Sequence, residues 1–160
     1  MAVDMFLKLD GIQGESKDQG HKDEIDIYSW SWGLTQTGSF GTGGGGGTGK
    51  VNVHDMTLTK KLDKASNGLT VNCASGKHIP NGVVTVRKAG DTPLEYLVIT
   101  LNDILVSSMQ TSGATSGDEV METVSLNFSK FKVEYKEQQA DGSGGPAVTY
   151  GWDVKQNVKV

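Results

Sequence analysis

Hydrophobic and polar residues alternate along much of this chain with a period of two, which is typical of β-strands. Residues 3–9 place valine, methionine and leucine at every second position. The last segment, residues 148–160, is the most regular, with valine, tyrosine and tryptophan on one parity. The pattern predicts strands at 3–9, 25–33, 51–58, 83–88, 94–101, 104–109, 120–135 and 148–160.

Three of these segments carry further detail. In 25–33, Tyr28, Trp30 and Trp32 share one face, and the isoleucines lie on the other face with Ser29 and Ser31. In 51–58 the apolar parity changes near Asp55, which predicts a bend. In 120–135 it changes at residues 129–130, which predicts a β-bulge.

One segment has the pattern of a helix. Residues 66–75 begin at a serine that can cap the amino terminus, place Leu69 and Cys73 four residues apart, and are followed by Gly76. Glycine-rich or polar loops are expected at 41–50 and 138–146. Together these elements predict a mainly β fold, a curled β-sandwich or β-barrel of about seven or more strands with one short α-helix (about 66–75) and an extended glycine-rich loop.

Composition restricts the function. The chain has 160 residues, a net charge of −4 and a pI near 5.3, so it lacks the basic character of proteins that bind nucleic acid or anionic membranes. The amino terminus has no signal-peptide pattern and no segment approaches a membrane span. We therefore expect one domain (1–160), cytoplasmic on synthesis and not inserted in a membrane. Cys73 has no partner for an intrachain disulfide.

The glycine-rich loop resembles a phosphate-binding loop only superficially. Residues 44–50 fit G-x-x-x-x-G-K, but the next residue is Val51 where a hydroxyl is needed, and a strand pattern follows instead of a helix. Glycines are costly to order, so we expect this loop to become ordered against a partner.

Other catalytic and ligand-binding chemistry has weak support. His21, His54 and His78 lack metal-binding spacing, and the acidic residues of 15–26 lack the calcium-loop pattern. No G-x-S-x-G motif is present, although a pair of carboxylates that meet only in three dimensions stays possible. We expect neither enzymatic activity nor a cofactor.

Several short motifs in the correct order give a more specific indication. They resemble the haemolysin-coregulated protein (Hcp) family, the tube subunit of bacterial type VI secretion systems. The matching residues are 1–6, 14–16, 18, 21, 24–26, 30–33, 49–51, 75–78, 86–90, 95–97, 126–128 and 150–152. The chain departs from that family chiefly at 111–118 and 137–147.

The resemblance implies an assembly. Family members form hexameric rings that stack into a hollow tube, which sits beneath a spike protein inside a contractile sheath and carries small effectors in its lumen. They leave the cell without a signal peptide and carry out no chemistry. The same resemblance implies that the loop Gly41, Thr42, Gly43, Gly44, Gly45, Gly46, Gly47, Thr48, Gly49 and Lys50 reaches a neighbouring subunit or ring.

Two further contact sites are hypotheses. If the tryptophan face of 25–33 packs into the core, Ser29 and Ser31 face the opposite way, where a ring would have its lumen and its cargo. The charged loop (residues 15–24), with Glu15, Asp18, His21 and Glu24, would set register across a subunit contact.

Two other classes of protein compete with this interpretation. A monomeric carbohydrate-binding β-sandwich would display Trp30, Trp32 or Trp152 on an exposed platform. A small hydrolase would need a site that titrates near neutral pH.

Overall fold

The computed structural model describes residues 3–38, 41 and 49–160. In this part of the chain it contains eleven strands and one helix, so the predicted mainly β fold is confirmed. The elements are β1 (Val3–Leu9), β2 (Ile25–Asp26), β3 (Ser29–Ser31), β4 (Leu34–Thr35), β5 (Asn52–Val53), β6 (Met56–Lys61), α1 (Ala65–Ser75), β7 (Ile79–Lys88), β8 (Leu94–Ser112), β9 (Met121–Gln138), β10 (Gly144–Asp153) and β11 (Val158–Lys159).

The main sheet is antiparallel and curls into a barrel. Its strand order is β11-β10-β9-β8-β7-β1-β2, and β6 pairs with both β3 and β9. Because β2 also contacts β6, the strands β6, β9, β8, β7, β1 and β2 surround one core. The buried apolar residues of this core include Leu7, Ile25, Leu58, Leu69, Ile79, Val84, Ile99, Leu101, Ile104, Leu126 and Val133.

Strand β9 organises the sheet. One of its edges pairs with β8 from Leu97↔Tyr135 to Ser112↔Met121. Its other edge pairs first with β6, over residues 121–126, and then with β10, over residues 130–138. The barrel wall formed by β6 therefore ends halfway along β9, and β10 and β11 continue the sheet beyond it.

The two strands predicted at 94–101 and 104–109 form one strand, β8, so their separation was wrong. The buried side changes between Leu101 and Ile104 in β8, and between Phe128 and Phe131 in β9. The register of the pair is the same on both sides of this change. The predicted bulge at 129–130 is therefore also wrong, because the buried side changes in both strands at the same level of the sheet without an extra residue in either strand. In β8 this level is marked by Asp103, whose φ is +52°. A register shift occurs instead between Val106 and Ser108.

The single strand predicted over 25–33 is divided into β2 and β3. Ile25 and Ile27 are buried, and Trp30 and Trp32 also pack against the core, so the inward side changes at Tyr28. The physical reason is a change of neighbour, since β2 pairs with β1 and β3 pairs with β6. The bend predicted near Asp55 is confirmed by the break between β5 and β6.

Helix α1 ends as predicted but begins differently. Gly76 adopts a φ of +71° and donates its backbone N–H to the Asn72 carbonyl. Ser66 is not the cap, because its hydroxyl turns inward to Lys60 and Glu122, and Asp63 instead accepts the N–H of Ala65. Cys73 is partly buried against the core.

The carboxyl-terminal segment is a hairpin, not the single strand predicted over 148–160. Residues 154–157 form a turn, in which Asn157 has a φ of +56°, and β11 folds back on the end of β10. The loop predicted at 138–146 is shorter than expected, because β10 already begins at Gly144.

Candidate functional site

The core-facing side of the sheet continues beyond the barrel and loses its cover. One cross-strand row runs through Leu7, Val84, Ile99, Val133 and Tyr150. Its first four members are at most 2% exposed, whereas Tyr150 is 50% exposed. In the adjacent row Tyr135 is 40% and Val148 is 61% exposed. We call Leu34, Tyr135, Val148 and Tyr150 the open flank. These four side chains are apolar or aromatic, and each is at least 40% exposed within the described residues.

An apolar cavity lies at the inner end of the open flank. It has a volume of about 260 Å³ and is lined by Leu34, Val51, Val53, Phe131, Tyr150, Gly151 and Trp152. The indole Nε1 of Trp152 is buried and has no hydrogen-bond partner within the described residues. An apolar surface of this kind is typical of contact with another protein.

The outer edge of β10 is also free over most of its length. Strand β11 pairs with β10 only at Trp152↔Lys159 and Asp153↔Val158. Residues 144–150 have no second neighbouring strand in the part of the chain that the structure describes. A free edge of this length can add a strand from another chain.

The glycine-rich loop leaves the barrel next to this flank. Its base is the β4–β5 hairpin, with Leu34 paired to Val53 and Thr35 to Asn52. Leu34 and Val53 also line the cavity. Of the loop residues predicted to make a subunit contact, Gly41, Gly49 and Lys50 are exposed, and 42–48 lie outside the described residues. Their role as a contact loop stays a prediction.

Ser29 and Ser31 belong to a wider face of small polar side chains. Ser31 pairs with Thr57, which pairs with Ser125, and Ser29 pairs with Thr59, which pairs with Thr123. The hydroxyls of Thr57 and Ser125 lie 3.3 Å apart. We call these six residues the hydroxyl face. None of these six side chains is charged, the next pair along the same face is Lys61 with Met121, and both serines are exposed as expected. The alternation of Thr57 and Thr59 with Met56 and Leu58 is the sequence signal for this face.

The charged loop is folded against the outer side of β1, β7 and β8 instead of extending into solvent. Arg87 donates hydrogen bonds to Asp18 and Asp4 at 3.0 and 3.1 Å, and its guanidinium carbon lies 5.1 Å from the centre of the Phe6 ring. Hydrogen bonds from Arg87 lower the pKa of Asp18 to about 2. Glu15 accepts the backbone N–H of Lys64, outside this cluster.

His21 occupies the centre of the cluster and is only 7% exposed. Its ring stacks on Phe6 at a centroid distance of 4.3 Å. Nδ1 lies 2.9 Å from Glu24 Oε2, and Nε2 lies 2.6 Å from Glu95 Oε1. Burial lowers the pKa of His21, but the hydrogen bonds to Glu95 and Glu24 outweigh it and raise the pKa above its ordinary value. Of the predicted contact residues, the structure thus brings Asp18, His21 and Glu24 together.

The tryptophans do not form an exposed platform. Trp30, Trp32 and Trp152 are partly buried and pack against the core. The ring of Trp32 meets the ring of Phe131 edge-on, with 4.6 Å between the ring centroids. The carbohydrate-binding alternative therefore lacks the feature that it requires. Within the described residues, no helix has the length and apolar character needed to cross a membrane.

The fold defines a β-barrel protein, and its distinctive features are the open flank and the hydroxyl face, which are suited to contact with other proteins. Comparison with known proteins gives the family. The family described as "Type VI secretion system effector, Hcp" matches residues 6–135. The chain therefore belongs to the Hcp family of type VI secretion system proteins, which is a structural family.

Individual members of this family are similar to the chain over nearly its full length. The chain is 56% identical to the protein hcp1 of Pseudomonas aeruginosa, covering 99% of each sequence. Its structure is similar to the crystal structure of Hcp1 from Salmonella typhimurium, with a TM-score of 0.85, 42% identity and complete coverage of both chains. It is also similar to the structure of a type six secretion system protein, with a TM-score of 0.94 and 30% identity, covering 99% of this chain and 100% of that one.

Proposed function

We propose that this chain is a tube subunit that forms hexameric rings, and that the open flank is one of the two surfaces joined at each contact within a ring. The observation that carries the proposal is the row in which buried core residues continue outward into the exposed Tyr150. A surface with the composition of a core and no cover is stabilised when a second copy supplies the missing wall.

The symmetry of a ring fits the remaining features. A ring needs a head-to-tail contact that joins two different patches, and such contacts also allow rings to stack into a filament. The open flank and the free edge of β10 would form one patch of the ring contact. The glycine-rich loop, which starts beside the cavity, would reach the neighbouring subunit or the next ring.

The hydroxyl face would line the lumen. An uncharged wall of serine and threonine offers hydrogen bonds without strong attraction for either sign of charge, which suits transient contact with small effector proteins. The chain would be made in the cytoplasm and leave the cell with the tube, beneath a spike protein and within a contractile sheath. We propose no catalytic role and no cofactor.

A pair of matched variants tests the ring contact. Val148→Asp places a charge on the open flank, whereas Val71→Asp makes the same change on α1, and the two valines are 61% and 55% exposed. Because a carboxylate buried at a contact has no partner there, we expect Val148→Asp to weaken each contact by roughly 2 kcal/mol or more. Light scattering should then show subunits for this variant and rings for Val71→Asp.

Circular dichroism provides the control for folding, since both changes lie on exposed side chains and should leave the barrel intact. Assembly of Val148→Asp at wild-type concentrations would contradict the assignment of the open flank. Equal loss of assembly in both variants would also contradict it, because the effect would not be specific to this surface.

A further inference from the structure

The two ring nitrogens of His21 face two different carboxylates. Nδ1 lies 2.9 Å from Glu24 on the charged loop, and Nε2 lies 2.6 Å from Glu95 on β8. A protonated imidazole donates from both nitrogens, whereas a neutral one donates from one and presents a lone pair on the other. Ionised carboxylates only accept hydrogen bonds, so the observed geometry is fully satisfied only when the ring carries both protons.

The contact to Glu95 connects the loop to the barrel. Glu24 lies on the same loop as His21, but Glu95 is 74 residues away in sequence and belongs to the sheet. Loss of one proton therefore leaves either the contact within the loop or the contact to the barrel unsatisfied. The stacking on Phe6 is apolar and does not replace a lost hydrogen bond.

We propose that His21 is a proton-operated latch, which holds the charged loop on the outer face of β1, β7 and β8 while its ring is doubly protonated and loosens it on deprotonation. The device is independent of the proposed ring assembly. It adds regulation by pH to the loop that carries Asp18, His21 and Glu24.

The other charges around the ring fix the direction of the effect. Glu24 comes from the loop and Glu95 from β8, and both stabilise the cation. Arg87 from β7 binds Asp18 of the loop and Asp4 of β1, so its charge is already paired. The pKa of His21 in the folded protein is raised above 6.5. Its stabilising contribution is therefore complete below pH 6.5 and is lost as the pH rises through the folded-state pKa.

Amide hydrogen exchange of the charged loop tests the latch directly. Backbone N–H groups of Ser16 and Asp23 donate within the loop, to Glu24 and Ser16 at 3.0 and 2.9 Å, and report its opening. Protection factors, which remove the intrinsic pH dependence of exchange, would be measured on the intact protein from about pH 5.5 to pH 8.5. We expect protection of the loop to fall roughly threefold to tenfold across this range.

Three variants separate the latch from a merely structural role. His21→Gln should have low loop protection with no pH dependence. Glu95→Gln should move the midpoint to lower pH, because one of the two anions that stabilise the cation is removed. His78→Gln is the matched control, since His78 lies 2.7 Å from Asp103 on an exposed part of the barrel, and it should behave as the wild type.

Constant protection in the wild type, or a wild-type pH dependence in His21→Gln, would overturn the proposal. So would an unchanged midpoint in Glu95→Gln, which keeps the test decisive if His21→Gln fails to fold. Light scattering at each pH identifies any change that comes from disassembly of rings and not from the latch.

Discussion

At the scale of single residues, the most unusual feature is a buried charge cluster between β6, α1 and β9. Lys60 is 1% exposed, and its ammonium group donates a hydrogen bond to Glu122 at 2.7 Å. It also donates to the carbonyl of Lys61 and to the hydroxyl of Ser66. An ion pair with Asp63 at 2.8 Å completes the cluster. Burial would raise the pKa of Glu122, but hydrogen bonds from Lys60 and Ser66 outweigh it and lower the pKa. Because every member has partners, the cluster fixes how the helix sits on the barrel.

Removing one member should therefore lower the free energy of unfolding far more than removing an ion pair on the surface. We expect Lys60→Met to lower the free energy of unfolding by roughly 3–5 kcal/mol, because Glu122 would stay buried without its cation. Adding Glu122→Leu should recover part of the loss, because the nearly buried carboxylate of Asp63 still lacks Lys60. Urea unfolding measures both values.

A matched control comes from Lys155, which is 2.8 Å from Asp103 but exposed to solvent. Lys155→Met should change the free energy of unfolding by about 1 kcal/mol or less. The account of the buried cluster would be wrong if Lys60→Met were no more destabilising than Lys155→Met.

At the scale of elements, alternation located most strands but not all of their limits, and it wrongly divided β8, which pairs with β9 along its length. β1 follows its predicted bounds of 3–9, and the end of α1 follows from Gly76. Alternation failed where a segment changes neighbours, at 25–33 and at 148–160. Which strand a segment pairs with depends on residues far away in sequence, so no local pattern reveals the change.

The same limit applies to the candidate sites. The pairs Arg87–Asp18 and His21–Glu95 are 69 and 74 residues apart in sequence. The local charge pattern indicates the charged loop but not its partners on the barrel. Alternation predicted that Ser29 and Ser31 are exposed, but it placed them on one continuous strand that the structure divides. The wider hydroxyl face follows only from the register of β3, β6 and β9.

The hydroxyl face leads to a prediction about cargo. Ser31→Phe would place a large apolar group in the middle of the face, and we expect it to abolish co-purification of a small effector while rings persist. Ser116→Phe, in an exposed turn between β8 and β9, is the control for adding a phenyl ring elsewhere. Undiminished effector retention by Ser31→Phe would exclude this face as the luminal wall.

At the scale of the whole molecule, the barrel supplies the physical reason for the proposed assembly. Six strands enclose one core, but β10 and β11 extend past the end of β6 and leave core-like residues uncovered. Membership of the Hcp family and this open flank support the same proposal independently. The extent of a single domain over 1–160 stays a prediction, as do the glycine-rich contact loop and the partners of the tube.

Above all, we propose that this chain assembles into rings through an uncovered sheet face. Negative-stain electron microscopy of the purified protein, with light scattering on the same sample, tests it most directly. We predict uniform six-membered rings with a central hole, and short stacks of them at high concentration. A homogeneous monomer at every accessible concentration would contradict the account.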